Sequence, residues 1–277
     1  MIDAHQHFWD IKREDCRWPT SDLSAIYRSF SMSDYLHAVE RAPMRGSVLV
    51  QSQACDSDTD YLLALSAEYK TILAVVGWVD LEAKNACERI HFLAKQNKMR
   101  GLRPMLQAIT DADWINHRSV QPAIACMVRE EMRFDALIQP RHLKALTEFA
   151  KKYPDLGIVV DHAAKPDIAA GDFIFWADGL KRLSECDNVY CKLSGLVTEA
   201  KQSQLSDFEN FKPWIKHILD CFSDDRVLWG SDWPVVNLAS SWQEWYTESC
   251  KLLNELKRDK AAQAKIFDAN ARRFYGL

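Results

Sequence analysis

Residues 72–80 read ILAVVGWVD, and residues 82–97, EAKNACERIHFLAKQN, follow almost at once. The first stretch is a near-continuous apolar run of strand length. The second repeats apolar residues at helical spacing. A strand apolar on both sides needs cover on both, which a parallel sheet flanked by helices provides. The same unit recurs along the chain. Apolar runs stand at MIDAHQH (1–7), GSVLVQ (46–51), RGLRPML (100–106), FDALIQP (134–140), GIVVDHA (157–163), VYCKLSG (189–195) and RVLWGSDWP (226–234). Helical patterns follow them: one from about Ser33, one opened by Ser57 or Asp58, a region containing WINH and PAIACMVREE, then HLKALTEFAKKY and FIFWADGLKRLSE. FENFKPWIKHILDCF, with Ser206 as its expected cap, SWQEWYTESCKLLNEL and a last helix AAQAKIFDANARRFY complete the series.

About eight strand–helix alternations in 277 residues predict an α/β fold of the (β/α)8 barrel type. A doubly wound open sheet is the competitor, but no G-x-G-x-x-G or G-x-x-x-x-G-K-[ST] loop follows any strand. No repeat, low-complexity tract or Pro/Gly/Ser-rich linker divides the chain, so residues 1–277 are expected to form one domain. The longest loop, residues 10–32, follows strand 1 and is expected over the barrel mouth.

Lys and Arg number 35 against 39 Asp and Glu, a formal charge of −4. A nucleic-acid or anionic-membrane partner would favour a clustered basic excess, so neither is expected. The eight cysteines are scattered and form no C-x-x-C pair, which excludes zinc-ribbon and thioredoxin-type motifs. With no secretory signal and no membrane-length apolar run, reduced thiols in the cytoplasm are the expectation.

Barrel chemistry sits at the C-terminal ends of the strands. Strand 1 ends in His5-x-His7, whose alternation turns both side chains to one face. Strand 2 ends in Gln51, strand 4 carries Arg103, strand 7 carries Lys192 and Ser194, and strand 8 ends in Asp232. Strand 6 ends in Asp161-His162; only one of two neighbours on a strand points inward, and His162 is taken. Gln51, Lys192 and Trp18 are candidate substrate contacts, with a structural ion pair as the alternative for Lys192 and for Arg103. Imidazoles and a carboxylate, here those of His5, His7, His162 and Asp232, suit the first shell of a divalent metal, zinc above all. The same groups can also work without metal, Asp232 as general base and Arg103 and the histidines at the oxyanion. Either route is hydrolytic attack on an activated carbonyl.

IDAHQHFWD, GLRP, VVDHAAKP, CKLSG, WGSDWPV and the closing DANARRFYGL together resemble the amidohydrolase superfamily, in its amidohydrolase-2 branch of sugar-lactone and dicarboxylate-lactone hydrolases. The resemblance runs the length of the chain. It implies a barrel that opens lactones to hydroxy acids, with Asp232, His162 and Arg103 catalytic. Two-metal members of the superfamily use a strand-5 lysine and histidine; here strand 5 ends in LIQP, and Gln139 offers neither, so at most one metal is expected. A decarboxylase or amide hydrolase of the same superfamily is the alternative, and a catalytically silent ligand-binding barrel a further one.

Overall fold

The computed structural model describes residues 1–277. Eight strands, β1 (Ile2–Gln6), β2 (Gly46–Val50), β3 (Ile72–Gly77), β4 (Met99–Leu102), β5 (Arg133–Ala136), β6 (Ile158–Val160), β7 (Val189–Leu193) and β8 (Val227–Trp229), lie side by side in chain order. Every neighbouring pair is parallel. A parallel bridge between Gln6 and Trp233 joins the last unit to the first and closes the circle. The expected barrel is therefore present, with all eight strands where the apolar runs stand.

Helices pack outside: α1 (Met32–Ala38), α2 (Asp56–Glu68), α3 (Ala86–Ala94), α4 (Gln121–Arg129), α5 (Leu143–Lys152), α6 (Phe173–Ser184), α7 (Lys212–Phe222) and α8 (Trp242–Glu255). α9 (Lys260–Ala264) runs through a wide turn into α10 (Asn270–Tyr275). The strands' outward residues and the helices form one large apolar core. A smaller inner core holds Ile2, Ala4, Val48, Val50, Ala74, Val76, Val159 and Leu228, with Ala271, Phe274 and Tyr275 of α10 packed against them. Helix α10 thus seals the end of the barrel where the strands begin. No helix is long and apolar enough to cross a membrane.

Several local expectations need correcting. WINH forms only a short turn, Trp114–Asn116, ahead of α4. Ser206 caps nothing: the Asp207 carboxylate accepts from Glu209 N and starts a single turn before α7. Helix α2 begins after Cys55 without a side-chain cap. Asp58 instead accepts from the backbone N–H groups of Ser52 and Gln53, at 2.8 and 3.0 Å, and so shapes the loop after β2.

Candidate active site

The site is built first at the seam between β1 and β8. His7 N donates to Trp233 O at 2.7 Å and Asp232 N to His5 O at 2.8 Å, which sets Asp232 opposite the two histidines. Asp232 adopts φ +58, a left-handed conformation that aspartate tolerates better than most residues. Gly230 is required beside it, since a Cβ there would lie 2.7 Å from His5 Cβ. Asp3 clamps the seam from outside. Its carboxylate accepts from Ser231 N and Oγ, Tyr35 Oη and Trp242 Nε1, at 2.6–3.0 Å. Inside, His5 Nε2 and His7 Nε2 are 3.1 Å apart, and Asp232 Oδ1 lies 3.8 and 3.2 Å from them. All three residues are buried.

Strand β6 stops at Val160, and His162, Ala163, Ala164 and Lys165 follow with φ of +52, +49, +63 and +50. This left-handed turn overrides strand alternation. Asp161 and His162 both enter the barrel, so the expectation that only one of them could is corrected. Trp176 Nε1 holds the turn by donating to Ala163 O at 2.6 Å. Gly195 makes room for the His162 ring, because a Cβ there would stand 2.5 Å from Nδ1. His162 Nδ1 contacts Ser194 Oγ at 2.9 Å, and Nε2 lies 3.9 Å from Asp232 Oδ1.

Below these residues lies a second polar layer. Lys192 Nζ reaches Asp135 Oδ2 at 2.5 Å, Asp161 Oδ1 at 3.0 Å and His5 Nδ1 at 3.0 Å. Tyr275 Oη donates to the same Asp135 oxygen at 2.7 Å. Arg103 Nη1 meets Asp161 Oδ2 and His5 Nε2 at 3.4 and 3.3 Å, and Nη2 donates to Gln51 O. Lys192 and Gln51 therefore lie beneath the cavity. Lys192 is fully buried among Asp135, Asp161, His5 and the Tyr275 ring, and Gln51 Nε2 donates to Arg103 O at 2.8 Å. Neither faces the space a substrate would fill, contrary to their reading as substrate contacts. Trp18 and Arg103 do face it. So do His7, His162 and Asp232, around a cavity of about 320 Å³ completed by Ser52, Met105, Gln107, Ala108, Leu137, Lys165 and Val235. Trp18 is held by Gln53, whose Oε1 accepts from Trp18 N at 3.1 Å while Nε2 donates to Trp18 O at 2.7 Å.

The amidohydrolase family model matches residues 2–277. The chain belongs to the amidohydrolase family. It is 43% identical to an L-fucono-1,5-lactonase of Burkholderia ambifaria, over all of this chain and 95% of that one. It is 32% identical to an L-fucono-1,5-lactonase of Burkholderia multivorans, over all of this chain and 96% of the other. A crystal structure of an amidohydrolase from Burkholderia multivorans with bound zinc superposes with a TM-score of 0.93 at 31% identity, covering 100% of this chain and 99% of that one.

The donor set of this amidohydrolase fits a metal ion. His7 Nδ1 donates to Val50 O at 2.8 Å, which leaves its Nε2 lone pair facing the cradle. Asp161 Oδ1 is buried without a directed donor, yet lies 3.3 Å from His5 Nδ1. A proton on that nitrogen would face the Asp161 oxygen and turn the His5 Nε2 lone pair to the same point, in competition with Lys192 Nζ, which lies 3.0 Å from His5 Nδ1. Tetrahedral zinc with bonds of about 2.0–2.2 Å sets its donors roughly 3.3 Å apart. The separations of 3.1, 3.2 and 3.8 Å match that spacing. Charge agrees: Arg103 and Lys192 face Asp135, Asp161 and Asp232 in a buried space, leaving room for a further cation.

The local fields sort the groups by role. Burial pushes Asp232 upward, but His162, His7 and His5 outweigh it and hold the carboxyl well below the usual range. Burial lowers His162 to about 4 and drives His5 well below its ordinary value, so both imidazoles are neutral at pH 7. Asp161 is also held low, Lys192, His5 and Arg103 outweighing its burial. Burial raises Asp135 to about 6 despite Lys192. Sequence reasoning missed Asp135, Asp161 and Tyr275. The first had a signal, since a lone carboxylate in an apolar strand matches the lone lysine of β7.

Proposed function

We infer that this chain opens a sugar lactone to the corresponding hydroxy acid, and we propose L-fucono-1,5-lactone, a six-carbon deoxysugar lactone, as its substrate. The reaction class follows from the two full-length lactonase relatives. The decarboxylase and amide-hydrolase alternatives are not favoured. The observation that carries the mechanistic reading is Asp232, held ionised at the cavity floor with His5, His7 and His162 around it. The cavity, about 320 Å³, is of the size that small ligands occupy.

Residues His5, His7 and Asp232 would hold one divalent metal, with His162 beside them; zinc is the proposed ion. When bound, such an ion acidifies water and polarises a carbonyl. Asp232 takes the proton of the attacking water as its oxygen adds to the lactone carbonyl carbon. Arg103, whose Nε has no partner in the protein, and the Nε2–H of His162 stabilise the oxyanion. As the ring C–O bond breaks, Asp232 returns its proton to the departing ring oxygen, giving the hydroxy acid. Trp18, clamped by Gln53, walls the cavity above the sugar ring. We place the protein in the cytoplasm on its eight free thiols, without nucleic-acid or membrane partners.

The test is a pH-indicator assay with L-fucono-1,5-lactone, a panel of other aldonolactones, and added chelator or zinc. Acid release that peaks on the deoxysugar lactone and falls with chelator is expected. Carbon dioxide release with no lactone turnover would overturn the reading.

A further inference from the structure

The groups that meet the lactone carbonyl leave the hydroxyls of the sugar without partners. Arg103, His162 and Asp232 line the cavity with side chains only 4–5% exposed. Lys165 lines the same cavity with a side chain 22% exposed, so it stands on the wall nearer the mouth. L-Fucono-1,5-lactone bears hydroxyls on three consecutive ring carbons. With the carbonyl carbon at the floor, those carbons lie further up the wall. Apart from Trp18 and the groups at the floor, the lining offers three polar side chains, Ser52, Gln107 and Lys165. Ser52 Oγ already accepts from Gln53 Nε2 at 3.0 Å. Lys165 alone of the three carries charge, and hydrogen bonds from charged donors are the stronger kind.

The lysine is held in place from two sides. It is the last of the four left-handed residues after β6, at φ +50, and its N donates to His162 O at 2.8 Å. One tight turn thus sets His162 and Lys165 in the same cavity. Lys165 Nζ pairs with Glu199 Oε1, its single ion-pair partner. Glu199 ends a short turn beyond β7, Val197–Glu199, and its carbonyl accepts from Ala169 N at 2.9 Å. The loops after β6 and β7 are therefore stitched together where the pair forms. An ammonium has three donors. With one directed at Glu199, two remain for a ligand. Much of the remaining lining, Met105, Ala108, Leu137 and Val235, is apolar, and a sugar hydroxyl pressed there would be unpaired, which costs affinity. We propose that Lys165 is a specificity residue that donates hydrogen bonds to a ring hydroxyl of the lactone, so that the site prefers polyhydroxylated lactones to plain cyclic esters. Glu199 is its positioning residue, fixing the ammonium from behind without touching the ring.

The inference rests on the reading of the chain as a sugar lactonase, and its test separates the two. Steady-state kinetics on L-fucono-1,5-lactone are measured for the wild type, Lys165→Met and Glu199→Gln. δ-Valerolactone, the same six-membered ring without hydroxyls, is titrated into each as a competing ligand, whether or not it turns over. Lys165→Met is expected to raise KM about ten- to hundredfold, the usual effect of losing a hydrogen bond to a charged group, with kcat within about threefold of wild type. The inhibition constant of δ-valerolactone should move less than about threefold, since no hydroxyl is there to lose a partner. Glu199→Gln should raise KM roughly two- to fivefold, the range for a partly exposed pair, again with little change in kcat. Melting temperature identifies a variant that is merely unstable, and Glu199→Gln decides the matter where Lys165→Met does not fold. An unchanged KM in the deciding variant, an equal loss for both lactones, or a fall confined to kcat would overturn the proposal alone. A wild type that hydrolyses no sugar lactone would overturn the lactonase reading and the proposal with it.

Discussion

Two buried polar layers are stacked inside one barrel, and they differ in how complete they are. In the lower layer, Lys192 and Arg103 face Asp135 and Asp161, and Tyr275 supplies a further donor. In the upper layer, three imidazoles converge on Asp232, with Arg103 at the edge beside His5. Burial costs charge and dipole alike unless partners are present. A layer whose carboxylates face lysine and arginine reads as support, and one whose imidazoles gather round a carboxylate at the cavity reads as the site of chemistry. Both layers look equally polar in composition, and only the pairing tells them apart.

Asp232→Asn strikes the upper layer hardest. It removes the proton acceptor and should lower kcat by about 10²–10⁴, the usual worth of a positioned base, while far-ultraviolet dichroism stays unchanged. Retained turnover would break the assignment. Lys192→Met strikes the lower layer, leaving Asp135 and Asp161 short of a partner, and should cost roughly 3–5 kcal/mol in urea unfolding. A loss of substrate affinity with full stability would instead make Lys192 a substrate contact.

Acid separates the layers next. Folding lowers the value for His162 from 6.5 to about 4, so its stabilising contribution is present above pH 6.5 and is lost as pH falls toward 4. Folding raises Asp135 from 3.8 to about 6, so its contribution is present below pH 3.8 and is lost as pH rises through 6. In metal-free protein, His162→Asn should therefore flatten the loss of melting temperature on the acid side, and Asp135→Asn should steepen it. Parallel shifts of the two profiles would contradict the opposed environments. The smallest effect is expected at the rim. Trp18→Ala removes a cavity wall without touching either layer and should raise KM about five- to tenfold, about 1.0–1.4 kcal/mol, at little change in kcat.

The barrel was legible because its physics is repetitive. Each strand announces itself as a short apolar run, and eight of them with helices between leave few alternatives. His5, His7, Arg103 and Asp232 were legible because strand ends are where a barrel gathers side chains. Asp161 was lost because the alternation rule assumes extended backbone. Four consecutive left-handed residues, none of them glycine, gave no warning in DHAAKP. Lys192 and Gln51 were misplaced for another reason: position along a strand fixes the face of a side chain, and depth depends on the partners that draw it down. Lys192 is drawn by Asp135 of β5 and Asp161 beyond β6, Gln51 by Arg103 beyond β4, and no spacing in the sequence links them.

Asp3 gives the seam a consequence in time. Its carboxylate gathers Ser231 and Trp242, 228 and 239 residues away, onto the first strand. Contacts of such separation form only after most of the chain has ordered. Until the last unit docks, His5 and His7 lack Asp232, and an incompletely wound barrel has no base to offer. Recovery of activity during refolding should therefore lag behind the recovery of helical signal, and its rate is the rate of ring closure.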